Sequence, residues 1–280
     1  MQASIRELAQ DPVCDIRMQI VQNVYILRDG DPEWMWNEIE RVVQHEYTRT
    51  VVGCAIESLA RVAYLDIPRA IRIAKLVFTR YDSQDGPGIG HVCKSAGSLI
   101  MDIHLSFSNN EANRFYLEHV ADPACHVEIM HHWVARYSEN LVIGDHTGSE
   151  RDRLRARTIA FYQDCAGAVS DELATLYAQY DLAKSQEWPP DVLMRVQALN
   201  GVLEGMARCI YSASGGHIPR SRDNPELRWV DDTKIVGYLI AVCGPVPWHV
   251  VAEEIEHRGA EFPERGVTLI VCVVPVHQAP

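Results

Sequence analysis

The chain has 280 residues and a formal net charge of -12, with 47% hydrophobic and 23% charged residues. This length and composition exclude a disordered protein. The acidic balance argues against a surface devoted to nucleic acid or anionic lipid, because phosphate binding needs clustered Lys and Arg. The start, MQASIRELAQ, lacks the apolar core of a signal peptide, and the longest apolar stretches, 235–243 and 267–276, are too short to cross a bilayer. We therefore expect a cytoplasmic protein without a membrane partner.

The N-terminal region predicts a hairpin of two helices. Asp11 and Pro12 start the first helix, which runs to about Leu27 because apolar residues recur every three or four positions. After a short turn, Asp31 and Pro32 start the second helix. So short a connection forces the two helices to pack antiparallel.

The same pattern continues along the chain. A helix over residues 47–64 is followed by another after Asp66 and Pro68, which gives a second hairpin. Residues 82–90, rich in Gly, Asp and Ser, form a connection, and helices over 91–105 and 110–121 follow. Asp122 and Pro123 then start a helix that reaches about residue 142.

The C-terminal part predicts longer helices and then a change of character. One helical region covers 149–183, with an interruption near 167–170, and Pro189 with Pro190 opens another to about 213. Residues 214–230 are a loop without apolar periodicity. Residues 231–280 hold a further helical hairpin and an apolar tail, which is a buried helix or a disordered end. The predicted domains are therefore 1–213, 214–230 and 231–280.

Helical hairpins that recur every 35 to 45 residues or so are the requirement for an α-solenoid. We therefore predict an all-α fold, a solenoid of antiparallel hairpins of the HEAT or armadillo kind. The cysteines recur at intervals of 29 to 44 residues, which agrees with such a unit. Because small thiols suit close helix contacts, we expect them to be buried and unreactive: Cys14, Cys54, Cys93, Cys125, Cys165, Cys209, Cys243 and Cys272.

Two resemblances support this fold. The segment Asp11-Pro12-x-x-x-Ile16-Arg17 resembles the HEAT repeat signature. Residues 11–40 and 203–216 look like the helical repeat region near the C-terminus of large bacterial STAND-type NTPases. This similarity implies a sensor or scaffold portion of a larger polypeptide, with the nucleotide-binding motifs lying elsewhere.

The sharpest enzymatic pattern is a repeated Glu-x-x-His. Glu128 with His131, and Glu254 with His257, each place a carboxylate and an imidazole one helical turn apart. Paired motifs of this kind build di-iron centres in four-helix bundles when four helices converge. The two copies lie far apart in sequence, so we favour exposed helical pairs and expect no metal and no cofactor.

Other chemical patterns are weaker. Three residues separate the last glycine of 86–90 from Lys94-Ser95, which does not fit a phosphate-binding loop. Aromatic and basic residues give candidates for partner binding, because such side chains dominate protein interfaces. Trp34 and Trp36 cannot share one helix face, and the predicted loop region supplies three more candidates. The candidates are Trp34, Trp36, Arg220, Arg222 and Trp229.

The sequence therefore favours a non-enzymatic scaffold or sensor module that binds a protein or peptide. The alternative is a helical-repeat enzyme, either metal-dependent or acting on DNA bases, or a nucleic-acid binder. Helical-repeat DNA glycosylases use tryptophans on a basic concave face, and the net charge of -12 fits that class poorly.

Overall fold

A computed structural model of the chain describes residues 2–81, 90–141, 149–179 and 189–213. Helices make up 91% of these residues and strands are absent from them, so the all-α prediction is confirmed. The helices divide between two compact units, residues 1–116 and residues from 117 onward. The predicted connection at 82–90 lies outside the described residues except for Gly90, and so do residues 142–148, the predicted loop at 214–230 and all of 231–280.

The first unit contains two rows of helices. In chain order its helices are α1 (Gln2–Leu8), α2 (Cys14–Asn23), α3 (Pro32–His45), α4 (Arg49–Val62), α5 (Ile67–Tyr81) and α6 (His91–Phe107), followed by α7 (Asn110–Ala121), which crosses the boundary between the units. One row holds α2, α4 and α6, and the other holds α3 and α5. Helix α4 packs between α2 and α6, while α3 and α5 pack against each other and against α4. The core of the unit lies between the two rows and includes Met35, Ile39, Val52, Leu59, Ile71 and Ile100.

Two of the three predicted Asp-Pro start signals act as helix caps. Asp11 and Pro12 do not, because α2 begins at Cys14 with Val13 at its cap position, and the Asp11 carboxylate accepts a hydrogen bond from the Val13 amide at 2.8 Å instead. The Asp31 carboxylate accepts a hydrogen bond from the Trp34 amide at 3.2 Å, with Pro32 as the first residue of α3. The Asp122 carboxylate accepts from the Cys125 amide at 3.2 Å in the same way. Both caps satisfy amides that the first turn of a helix leaves without partners.

The first predicted helix ends earlier than expected. Helix α2 stops at Asn23, and residues Val24–Asp29 form a tighter 3-10 helix. The buried Ser58 hydroxyl of α4 lies 2.6 Å from the Val21 carbonyl oxygen and donates to it. This side chain satisfies a carbonyl at the end of α2 and allows the backbone to leave the α-helical pattern.

The second unit packs three helices against one another: α8 (Pro123–Tyr137), α9 (Ser149–Gln179) and α10 (Pro190–Ala213). The predicted interruption of α9 near 167–170 is wrong. Gly167 lies inside the helix, because buried residues continue the apolar stripe through it and offset the cost of a glycine there. The buried residues on either side are Cys165, Ala166, Val169 and Leu173.

The cysteine prediction holds for only part of the set. Cys54, Cys93 and Cys165 are buried, while Cys14 and Cys125 are exposed. Each exposed thiol lies in the first turn of its helix, ahead of the buried stripe, so the prediction is wrong for these two. Cys209 is partly exposed, and Cys243 and Cys272 lie outside the described residues.

Candidate functional site: an arginine and tyrosine cluster

The Glu-x-x-His residues of α8 have different environments. Glu128 is half-buried, whereas His131 is exposed on the helix surface. The His131 ring lies against α10, where its Nε2 atom is 3.4 Å from the position of a Cβ added to Gly205. Within the described ranges, no group of three His, Cys, Asp or Glu side chains could hold a metal ion. Glu254 and His257 lie outside those ranges.

The two N-terminal tryptophans of the candidate partner surface lie on different faces of α3. Trp36 is buried, and the Arg69 guanidinium lies 5.3 Å from its ring centroid. Trp34 is half-buried, with the Arg6 guanidinium 5.8 Å away. Only Trp34 therefore has surface to offer a partner. Arg220, Arg222 and Trp229 lie outside the described residues.

The turn between α3 and α4 presents the most exposed aromatic ring among the large hydrophobic side chains of the described residues. Helix α3 ends at His45, and the backbones of Glu46 and Thr48 are extended. Tyr47, between them, is 92% exposed. A large apolar surface left in water is typical of a binding site when other anchor residues surround it.

Arg80 lies beside this ring and also beside Tyr81, which Arg49 contacts as well. Arg80, in the last turn of α5, has its guanidinium carbon 5.8 Å from the Tyr47 ring centroid and 5.1 Å from that of Tyr81. Arg49, the first residue of α4, lies 5.9 Å from the Tyr81 centroid. These distances allow cation-π attraction. We call Tyr47, Arg49, Arg80 and Tyr81 the Tyr47 cluster.

A buried ion pair fixes the turn beneath the cluster. Arg17 of α2 donates two hydrogen bonds to the Glu46 carboxylate, at 2.8 and 3.0 Å, and a third to the Asp11 carbonyl oxygen at 2.7 Å. The Thr48 amide donates to the same carboxylate at 2.9 Å. A bidentate arginine pair with a further backbone donor holds a carboxylate in one geometry.

Arg80 fixes the other side of the turn. Its guanidinium donates to the main-chain oxygens of Val43, at 2.9 Å, and Glu46. These carbonyls end α3 and carry no net charge. Arg80 therefore caps that helix in a position where a cation is favourable, while its positive charge remains at the turn.

The Glu46 carboxylate stays ionised in this environment. Burial alone would raise the pKa of Glu46, but the hydrogen bonds from Arg17 and Thr48 outweigh burial and lower it to about 2. The same ion pair raises the pKa of Arg17. The negative charge of Glu46 is therefore committed to Arg17 at neutral pH.

Tyr81 forms the floor of the cluster. It is only 9% exposed, and its hydroxyl oxygen is buried without a hydrogen-bond partner in the described structure. Burial raises the pKa of Tyr81, although Arg80 and Arg49 act in the opposite direction. A buried hydroxyl without a hydrogen-bond partner costs roughly 1–3 kcal/mol of folding free energy, so the position of the Tyr81 hydroxyl is unusual for a packed helical unit.

A second cluster lies where α7 meets α8, in the second unit. The His119 and His126 rings have centroids 4.1 Å apart, and the His119 centroid is 5.7 Å from that of Trp133. His126 interrupts the helical backbone, with φ of -115° and ψ of 17°. This histidine pair does not include the Glu-x-x-His residues of α8.

Sequence reasoning missed the Tyr47 cluster. A signal was present, because Tyr47 is the first residue of a predicted helix and Arg49 follows two positions later. A tyrosine and an arginine in a helix-to-helix turn are residue types that anchor interfaces. Arg80 and Tyr81 needed the structure, since they lie more than thirty residues away in the chain.

Comparisons with known proteins do not assign the chain to a family. Scans against protein-family models, curated proteins and solved structures found no match to the chain. Among the described helices, none combines the length and apolar character needed to cross a membrane. The function must therefore be argued from the site itself.

Proposed function

We propose that this chain is a non-catalytic helical-repeat scaffold or sensor module that binds a protein or peptide partner. The observation that carries the proposal is the 92% exposed Tyr47 ring on a turn held rigid from below. Interface hot spots are enriched in Tyr and Arg, and binding is strongest where these residues are already ordered. The Tyr47 cluster meets both conditions.

The packing order supports an α-solenoid of HEAT-like hairpins in the first unit. Helices α2, α4 and α6 form one row, and α3 and α5 form the other. A solenoid stacks hairpins in this way and presents extended surfaces to a partner. In this proposal the Tyr47 turn connects the first hairpin to the second.

Ion pairs connect α5 to α3 before it and to α7 after it, which agrees with stacked units. Arg69 and Arg72 of α5 pair with Glu33 and Glu40 of α3. Lys75 of α5 pairs with Glu111 of α7 at 3.3 Å. The partners are separated by 36, 32 and 36 residues, which lies at or just below the lower end of the predicted repeat of about 35 to 45 residues.

The resemblance to STAND-type NTPases extends the proposal. On that view the chain is the sensor or scaffold portion of a larger bacterial, cytoplasmic assembly, and the ATPase chemistry lies outside it. Its contribution would be shape and charge complementarity to a partner.

A capture experiment with matched variants tests the proposal. The purified chain, Tyr47→Ala and Tyr64→Ala would each be used to capture proteins from a bacterial lysate, with mass spectrometry of the eluates. Tyr64 is the control because it is 56% exposed in another turn of the same unit. We expect a stoichiometric partner that Tyr64→Ala retains and Tyr47→Ala loses. A partner retained by both variants would contradict the proposed surface.

A further inference from the structure

We propose that Asp31 and Trp34 of α3 form a binding site for an arginine side chain of a partner peptide, and that Arg6 of α1 occupies this site in the free chain. The site lies at the start of α3, whereas the Tyr47 cluster follows the end of that helix, so the inference does not depend on the proposed surface. It rests on the contacts of Arg6, on the weak attachment of α1 and on the charge of the chain.

The Arg6 guanidinium contacts both an anion and an aromatic ring. Its Nη2 atom donates to the Asp31 carboxylate at 3.0 Å, and its central carbon lies 5.8 Å from the Trp34 ring centroid. The other oxygen of the same carboxylate accepts from the Trp34 amide at 3.2 Å, which fixes the carboxylate at the first turn of α3. An ordered carboxylate beside an indole ring is an arrangement that recognises a guanidinium.

Helix α1 is attached weakly to the rest of the first unit. None of its side chains within residues 4–8 is buried, and Leu8 is 40% exposed. A helix of seven residues is too short to be stable by itself. The Arg6 side chain is 53% exposed, and an exposed ion pair contributes little to stability. Arg6 is therefore an occupant that a partner can replace.

The residue that follows α1 anchors the chain when Arg6 leaves the site. Ala9 is buried, and its carbonyl oxygen accepts a hydrogen bond from Arg41 of α3 at 3.2 Å. This anchor lies three positions after Arg6. Release of Arg6 therefore leaves the core of the unit intact.

The charge of the chain favours a basic partner. A protein with a net charge of -12 attracts cationic peptides and speeds their association. Residues 29–33 hold three carboxylates, and Arg6 is the cation that lies against the middle one, Asp31. Exchange of Arg6 for an arginine of the partner keeps Asp31 paired, so the exchange creates no unpaired charge.

Arginine suits the site better than lysine does. A guanidinium is planar, so its face stacks on an indole ring while its edge donates to a carboxylate. An ammonium group is a compact and strongly hydrated charge without such a face. The site therefore selects a peptide that contains arginine.

Fluorescence anisotropy with a labelled peptide of alternating glycine and arginine tests the inference. We expect binding at low salt, and weaker binding of the corresponding peptide of glycine and lysine. Trp34→Ala and Asp31→Asn should each raise the Kd about fivefold, and the asparagine keeps the helix cap. Arg6→Gln should instead lower the Kd about fivefold, because it removes the internal occupant.

Matched variants separate this site from general attraction between opposite charges. Arg28 and Asp29 pair with each other at 3.5 Å on the surface. Arg28→Gln makes the same change of charge as Arg6→Gln, and Asp29→Asn makes the same change as the asparagine variant of the site. Tyr47→Ala removes the ring of the other proposed surface. These three controls should change the Kd less than about twofold.

Hydrogen exchange gives a second measurement with a definite sign. The Ala9 amide donates to the Ile5 carbonyl oxygen at 3.0 Å. Saturating arginine peptide should speed the exchange of amides in residues 6–9, because displaced α1 is too short to remain helical. Slower exchange there would mean that the peptide binds on top of α1, which would contradict the proposal.

Three further results would overturn the arginine site. These are absence of binding at low salt, equal binding of the lysine peptide, and equal effects of Arg6→Gln and Arg28→Gln. Weakening by Tyr47→Ala in place of Trp34→Ala would assign the peptide to the Tyr47 cluster instead. Capture of a cellular partner through Tyr47 is a separate measurement, so failure of the arginine site leaves the proposed function standing.

Discussion

The two units hold their helices together with different side chains. In the first unit, charged groups connect helices that are distant in sequence, as Arg17 connects α2 to Glu46. In the second unit, aromatic rings fill the interior, as Trp133 lies 6.2 Å from Phe161 in an edge-on contact. The Tyr162 hydroxyl there donates to the Val134 carbonyl oxygen at 2.6 Å.

This difference teaches how each unit responds to change. The stability that a buried ion pair contributes depends on pH and on the presence of both partners, because a buried charge without its partner destabilises the fold. An aromatic interior depends on volume, because the surroundings fill a lost ring only partly. The Tyr47 turn belongs to the first unit, so its geometry depends on charge.

The largest expected effect is in the aromatic unit. Trp133 is fully buried, so Trp133→Ala should destabilise the second unit by about 3–5 kcal/mol. Hydrogen exchange of the α8 and α10 amides measures this loss. The matched control is Trp34→Ala, which removes a half-buried ring and should cost less than about 1 kcal/mol. Equal effects from the two substitutions would contradict the role assigned to the aromatic interior.

The second largest effect is the loss of stability when the partner of the buried Glu46 carboxylate is removed. Arg17→Met leaves the buried Glu46 carboxylate without its guanidinium and should cost about 3 kcal/mol in the first unit. The double variant Arg17→Met with Glu46→Leu should recover most of this loss. Urea unfolding followed by hydrogen exchange at α4 provides the measurement, with Arg28→Met as an exposed control. A double variant no more stable than Arg17→Met would argue against the buried charge as the cause.

The Glu46 pKa sets a pH dependence with a definite sign. Because the folded pKa is about 2 and the ordinary value is 4.5, the stabilisation is complete above about pH 4.5 and is lost as the pH falls toward 2. By pH 3 the loss should be about 2 kcal/mol. Unfolding measured at pH 6 and pH 3 tests this, with Glu46→Gln as the reference. The same pH dependence in Glu46→Gln would refute it.

The smallest effect concerns the exposed pairs. Arg72 pairs with Glu40, and the Arg72 side chain is 52% exposed, so Arg72→Met should change stability by less than about 0.5 kcal/mol. Denaturant midpoints of the chain and of Arg72→Met, measured at low and high salt, test whether the change in stability exceeds this value. A loss as large as that of Arg17→Met would show that burial does not separate the two kinds of pair.

The sequence was informative where structure is local. Asp31 and Asp122 were predicted to start helices from local sequence alone. An aspartate can accept a hydrogen bond from an amide of the first turn, and a proline suits the first helical position. Gly167 misled the prediction, since its helix continues through packing with residues on other helices. The Ser58 hydroxyl donates to the Val21 carbonyl oxygen near the end of α2 from 37 residues away, a contact that no local pattern reveals.

The candidate site was less predictable for the same reason. Tyr47 and Arg49 are neighbours in sequence, but their value as a site depends on Arg80 and on the Arg17 to Glu46 pair. Those contacts join residues about thirty positions apart, so periodicity alone could not place them together. Trp36 was predicted as a partner-binding candidate from its residue type, and its burial also depends on packing that the sequence pattern does not show.

Hydrogen exchange of the complex with the captured partner tests the central claim most directly. Amides in residues 44–50 should gain protection when the partner binds, and amides around Tyr64 should not, although both turns are exposed in the free chain. Protection at the Tyr47 turn would support the proposed surface. Protection confined to the second unit, with none in residues 44–50, would contradict it.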